Sequence, residues 1–181
     1  MILWPARSAA GEMGGLPFLR AILAGEQPPP PIAELMGFKP LEVDEGRALF
    51  VCTPAEYHYD PLGVVHGGLE CTLLDSVMGC AVHTMLPAGI GHTTVELKVN
   101  FLRPITLQTG RLLCEGTTIH VGSRIATAEA RLLDTSGKLY GHATTTCMIF
   151  RNVAPERSKP SVSEEEDERV RVARRRSLEV S

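Results

Sequence analysis

A chain of 181 residues with 44% hydrophobic side chains can build one core of ordinary size, and that length favours a single domain with flanking segments. Its net charge of −3, with 22% charged residues, supplies no basic field to recruit nucleic acid or anionic lipid. Cys52, Cys71, Cys80, Cys114 and Cys147 form no CxxC pair and scatter through apolar segments, as small buried hydrophobes do in a reducing, cytoplasmic setting.

The first fifteen residues, MILWPARSAAGEMGG, carry one arginine and a broken apolar content, without the continuous apolar stretch of a secretory signal. LPFLRAILA, Leu16 to Ala24, has apolar residues at helical spacing and is expected to form a helix ending at Gly25. Pro28 to Pro31 are expected to forbid further helix and to continue as an extended spacer. Residues 1–34 thus read as an N-terminal extension with a short helix and a proline-rich spacer.

Two short apolar segments between Phe38 and Thr53 flank the turn signal Asp44-Glu45-Gly46, which predicts a hairpin. The longest apolar run, Leu69 to Leu86, holds Glu70, Asp75 and His83, which would be costly in lipid, so it reads as an almost all-round apolar core helix and not as a membrane anchor. In TVELKVNFL, Thr94 to Leu102, strict alternation predicts a strand that buries Val95, Leu97, Val99 and Phe101. Strands are also expected at Gly110 to Ile119, Ser123 to Leu133 and Leu139 to Phe150. Ala126, Ala128 and Ala130 leave one face of the second of these small, and the long helix is the expected occupant. The layout is α+β, about six antiparallel strands curled around one helix, over residues 35–151. Residues 152–181 have few large hydrophobes and dense charge of both signs, so a disordered tail or a solvated helix capped at Ser163 is expected there.

Function is concentrated in VVHGGLECTLLDSVMGCAV, Val64 to Val82. Gly67 and Gly68 at a helix start leave the first N–H groups open to close approach, the makings of an oxyanion site. Asp75 lies on a mostly apolar helix surface, with Cys71, Thr72, Met78, Gly79 and Val82 at helical spacing. It reads as a general base or a nucleophile, against the alternative of a structural carboxylate satisfied by backbone, Thr72 or Ser76. Eight residues of helix separate Gly67 from Asp75 by roughly 12 Å, too far for both to serve one carbonyl. The spacing therefore predicts a two-fold homodimer in which the acid comes from an antiparallel second helix.

The run Asp60-Pro61-Leu62-Gly63-Val64-Val65-His66-Gly67-Gly68, followed by Leu73-Leu74-Asp75 and Gly79-Cys80-Ala81, resembles the signature of hotdog-fold acyl-CoA thioesterases of the PaaI-like, phenylacetate-degradation group. So does Val121-Gly122-Ser123-Arg124 with the ATAEARL that follows; the similarity spans roughly Leu35 to Phe150. The resemblance implies a hotdog fold, a dimer or dimer of dimers, and hydrolysis of an acyl-CoA without cofactor. Gly67 would donate its N–H to the thioester oxygen, and Asp75 of the other subunit would attack the carbonyl or activate water. Asp60 stands where similar enzymes carry Asn or Gln; His66 would steady the loop or move a proton. Thr93 would border the site, while Gly68, Arg103, Gly122, Ser123 and Arg124 would meet the substrate and its coenzyme A portion. No histidine spacing supports a metal, and no dinucleotide or phosphate-loop fingerprint is present. The alternatives are a non-catalytic acyl-CoA binding or sensing protein on the same fold and a hotdog dehydratase.

Overall fold

A computed structural model describes residues 7–151. The expected capped helix and disordered tail of residues 152–181 lie outside them. Two short helices, α1 (Arg7–Glu12) and α2 (Gly15–Leu23), precede a third, α3 (Pro31–Met36). Contrary to the spacer expected at Pro28 to Pro31, Pro31 opens α3, because a first helical position has no intrahelical use for an N–H. Gly37, at φ 66°, then ends it in the left-handed conformation that glycine adopts without strain.

The hairpin β1 (Phe38–Asp44) and β2 (Arg47–Cys52) follows, then the central helix α4 (Gly67–Thr84). The remaining strands are β3 (Ile90–Phe101), β4 (Leu112–Val121), β5 (Ile125–Asp134) and β6 (Leu139–Arg151). They form one antiparallel sheet in the order β1-β2-β4-β5-β6-β3, so β3 is an edge strand. The sheet curves around α4 and gives the α+β hotdog architecture.

Leu69, Leu73, Leu74, Val77, Met78 and Val82 of α4 are buried against this sheet, each apolar side chain contributing about 1.5 to 3 kcal/mol. Small residues allow the close approach: Ala126, Ala128 and Ala130 of β5 are buried as expected. On β4, a Cβ at Gly116 would lie 2.9 Å from the Val77 backbone carbonyl.

The helix is not apolar all round. Gly67, Gly68, Cys71, Thr72, Asp75, Ser76, Gly79, Cys80 and His83 recur at helical spacing and form a half-exposed stripe of small and polar residues. The sheet cannot cover every side of a helix it wraps from one side.

Strand β3 also departs from strict alternation. A bulge between Thr94 and Glu96 breaks the phase, leaving Val95 55% exposed although it was expected inside. Phe101, likewise expected inside, is 53% exposed, and its ring covers Gly67.

The N-terminal helices pack on the same body. Phe18 and Leu19 of α2 form a second apolar cluster with Val43 of β1, and Cys80 packs against it. Arg20 adds a 3.2 Å ion pair to Asp44 and a bond to the Val43 carbonyl.

Candidate active site

The loop before α4 is held by its own backbone. Tyr59 bridges Val65, His66 N donates to His58 O at 2.8 Å, and Val65 N donates to Ile105 O at 2.9 Å. Asp60 Oδ1 accepts from Leu62 N at 2.8 Å and from Val64 N at 3.4 Å, an aspartate turn that shapes the approach to His66. One oxygen of Asp60 is thus committed to the loop.

His66 is the N-cap of α4: its Nδ1 accepts from Gly68 N at 2.8 Å. The acceptor Nδ1 is therefore unprotonated in this arrangement, and the Gly68 N–H is already used. Gly67, at the first helical position, has no intrahelical acceptor for its own N–H. A Cβ there would come within 3.2 Å of the Phe101 ring, so the terminus is framed by an aromatic wall. Fixed N–H direction and the helix dipole make this end suited to developing negative charge on oxygen.

Two turns along the stripe, Asp75 Oδ1 accepts from Thr94 Oγ1 at 2.8 Å. Thr94 itself contacts Cys147 Sγ at 4.0 Å. The partner of the acid thus comes from β3 and not from its own helix, where Thr72 instead bonds back to Gly68 O at 2.9 Å. Sequence reasoning singled out Thr93, which is exposed on the other face of the strand; Thr94 was missed. The bulge after Thr94 hides the phase that would have found it.

Cysteines around Asp75 are held as thiols. Burial, with the Asp75 charge adding to it, pushes Cys80 up to about 12; burial, Glu70 and Asp75 raise Cys71. Neither suits a thiolate nucleophile.

The remaining candidates divide between the two ends of β3. Arg103 follows Phe101 at the Gly67 end, is exposed, and donates from Nη1 to Leu139 O. Gly122, Ser123 and Arg124 form the β4–β5 turn at the opposite end, where Ile125 and Thr93 both pair with Met148. Gly122 N closes that turn onto Ile125 O at 2.9 Å, leaving Ser123 and Arg124 exposed. Within one chain, then, His66, Gly67, Gly68 and Arg103 lie toward the Phe101 end, with Asp60 in the loop that leads to His66, while Asp75 lies with Thr94 toward the other end. Among the described residues, no three His, Cys, Asp or Glu side chains converge as a metal site. No described helix is long and apolar enough to cross a membrane.

This arrangement has relatives. The family model described as the thioesterase superfamily matches residues 62–140. A protein of Saccharolobus solfataricus named "Putative esterase SSO2140" is 31% identical over 120 residues, which span 66% of this chain and 84% of that one. The crystal structure of a phenylacetic acid degradation-related protein from Ralstonia eutropha JMP134 superposes with a TM-score of 0.66 at 30% identity, over 72% of this chain and 98% of that one. The fold is also shared, at 21% identity and a TM-score of 0.58, by smu.793 of Streptococcus mutans UA159, solved bound to acetyl-CoA; the match covers 64% of this chain and 90% of that one.

Proposed function

Since this chain belongs to the thioesterase superfamily and is a thioester hydrolase of the hotdog-fold, PaaI type, we propose that its substrate is an acyl-CoA and that each active site is assembled from two subunits. Gly67 N–H of one protomer polarises the thioester oxygen, and Asp75 of the other attacks the carbonyl carbon or activates water. The products are a free carboxylic acid and coenzyme A. Binding of acetyl-CoA by the Streptococcus mutans protein supports coenzyme A as the carrier on this fold.

The observation that carries the two-subunit reading is the separation of the two groups along one edge strand. Gly67 lies beside Phe101, Asp75 bonds Thr94, and β3 pairs with β6 alone among the described strands. An antiparallel pairing of β3 with a copy of itself, centred between Leu97 and Lys98, sets Phe101 of one chain opposite Thr94 of the other. The same two-fold lays the half-exposed stripes of two α4 helices against each other, where glycine, serine, threonine and cysteine permit close approach. Gly67 and Asp75 of different chains then face one carbonyl. A dimer of this kind, alone or paired again, would have two equivalent sites.

Roles for the other residues follow from their bonds. Asp60 holds the loop through its Oδ1, and His66 caps α4 so that Gly67 remains the available donor. Thr94 orients Asp75. Arg103, Gly68 and the Gly122-Ser123-Arg124 turn would meet pantetheine and phosphates, guanidinium groups suiting the latter. As to organisation, residues 35–151 are the catalytic domain and 1–34 an extension whose helix α2 docks onto it. Free-thiol release from a panel of acyl-CoA esters tests the activity; native protein that releases no thiol from any of them overturns it.

A further inference from the structure

The far end of the α4 stripe has no task in the two-subunit site. One turn beyond Asp75, Gly79 makes room for a histidine of β3: a Cβ there would lie 3.2 Å from His92 Nε2. A further turn on, the His83 ring centroid is 5.6 Å from that of His92. His92 and Thr94 are two apart on β3 and both face α4, so a polar row runs from Asp75 and Thr94 through His92 to His83. Phe18 of α2 closes the row, its ring meeting that of His83 edge-on at 6.2 Å. Gly15 presses α2 onto the His83 carbonyl so closely that a Cβ would stand 1.7 Å from that oxygen.

The state of the two rings follows from their surroundings. His83 Nδ1 is buried and has no hydrogen-bond partner among the described residues. An unpaired buried acceptor is tolerated better than an unpaired buried N–H, so Nδ1 is the bare nitrogen and Nε2 carries the proton. Burial, with His92 beside it, lowers His83 to about 4, and burial also lowers His92. Asp75, the carboxylate on this row, is engaged by Thr94. Both imidazoles are therefore neutral near pH 7 and offer hydrogen bonds, not positive charge.

We infer, on the thioesterase reading, that His83 and His92 read the far end of the acyl group, which ends in a neutral oxygen on the order of 6 to 12 Å from the thioester carbon. The span corresponds to one to two helical turns between Asp75 and the two rings. A hydroxyl or carbonyl oxygen there accepts the proton of His83 Nε2. A purely apolar end leaves that donor desolvated and unpaired, which costs binding in the transition state as well as in the ground state. A carboxylate end gains no cation from neutral rings and loses its hydration. Phe18 limits the length.

The test compares three esters of matched length in the full-length protein by free-thiol release: pentanoyl-CoA, ω-hydroxypentanoyl-CoA and glutaryl-CoA. The expected result is a kcat/KM at least about tenfold higher for the hydroxy ester than for either of the others. In His92→Leu, and separately in His83→Leu, the ratio of hydroxy ester to pentanoyl ester should fall toward one; two variants guard against either failing to fold. A native ratio near one, a preference for glutaryl-CoA, or a ratio that survives both substitutions overturns the inference while thiol release upholds the activity. Absence of thiol release from every ester overturns the activity itself, and this inference with it.

Discussion

Thr94 donates its hydroxyl proton to Asp75 Oδ1 across 2.8 Å, tying the edge strand to the central helix at the acid of the proposed site. The bond uses one carboxylate oxygen and leaves the other to meet water or a thioester. It also selects one rotamer for a side chain on a half-exposed stripe, where an untethered aspartate would sample several. Thr94→Val keeps the shape and removes the donor. A hydrogen bond to a charged group contributes about 1.5 to 3 kcal/mol, so kcat should fall by roughly one to two orders of magnitude with a smaller change in KM. Thr93→Val, on the exposed face of the same strand, should change kcat far less. Equal effects from the two substitutions would remove Thr94 from its positioning role.

Shared sites make a prediction that a single-subunit site cannot meet. Gly67→Pro deletes one N–H at a position where proline suits the backbone: His66 before it sits at φ −62°, ψ 133°, the extended conformation a following proline requires. Losing an oxyanion donor should lower kcat about 100- to 1,000-fold, and Asp75→Asn should lower it by orders of magnitude too. Unfolding and refolding the two variants together should restore activity to roughly a quarter of native, because half of the randomly formed dimers then hold one intact site of two. Free-thiol release on the mixture, against each variant refolded alone, measures this. A mixture no better than its components places Gly67 and Asp75 in one subunit's site.

The fold was legible in the sequence because apolar periodicity survives most of its length. The hairpin expected between Phe38 and Thr53 forms over Phe38–Asp44 and Arg47–Cys52, the apolar run from Leu69 to Leu86 gives the helix Gly67–Thr84, and the alanine face of Ala126, Ala128 and Ala130 is buried as its pattern predicts. The site was legible only in part. Asp75 and the HGG entry stand out by spacing, but the hydroxyl that meets Asp75 depends on the bulge after Thr94, a two-for-one pairing that no alternation pattern shows. The same bulge sends Val95 outward. Pro31 misled because the proline that ends one helix is also a preferred opening residue for the next. The pairing of His83 with His92 joins residues from a helix end and a strand start, and only the turn through Met85 to Gly89 decides whether they meet.

Docking of α2 depends on a residue with no side chain. A Cβ on Gly15 would stand 1.7 Å from His83 O and 2.4 Å from its carbonyl carbon, and neither atom can retreat without moving α4. Gly15→Ala must lift α2, which opens the cluster of Phe18, Leu19 and Val43. The cost should reach or exceed the usual overpacking range of about 1 to 3 kcal/mol. Gly14→Ala, whose nearest non-neighbouring atom would lie at 3.7 Å, should be close to neutral. Thermal unfolding of the two variants separates them, and indistinguishable melting temperatures would mean that α2 does not dock through Gly15.

Glu70 sits in the first turn of α4 with 4% of its surface exposed, and its Oε2 has no hydrogen-bond partner among the described residues. Its Oε2 would lie 3.2 Å from a Cβ placed on Gly141, against the inner face of the sheet. Burial raises its carboxyl from 4.5 to about 7. The folded state therefore keeps this proton in a range where the unfolded chain has released it. Below the unfolded value both states are protonated and the group contributes nothing to the pH dependence. Between the two values the unfolded chain binds fewer protons, so stability falls as pH rises, and above about 7 the loss is complete. The total is on the order of 3 kcal/mol. In Glu70→Gln the amide is neutral throughout, so the stability difference between variant and native protein should swing toward the variant across this window and flatten above it. Denaturant unfolding at pH 5, 6, 7 and 8 reads the swing; a difference that stays constant with pH would show that Glu70 is ionised in the folded protein as readily as in the unfolded chain.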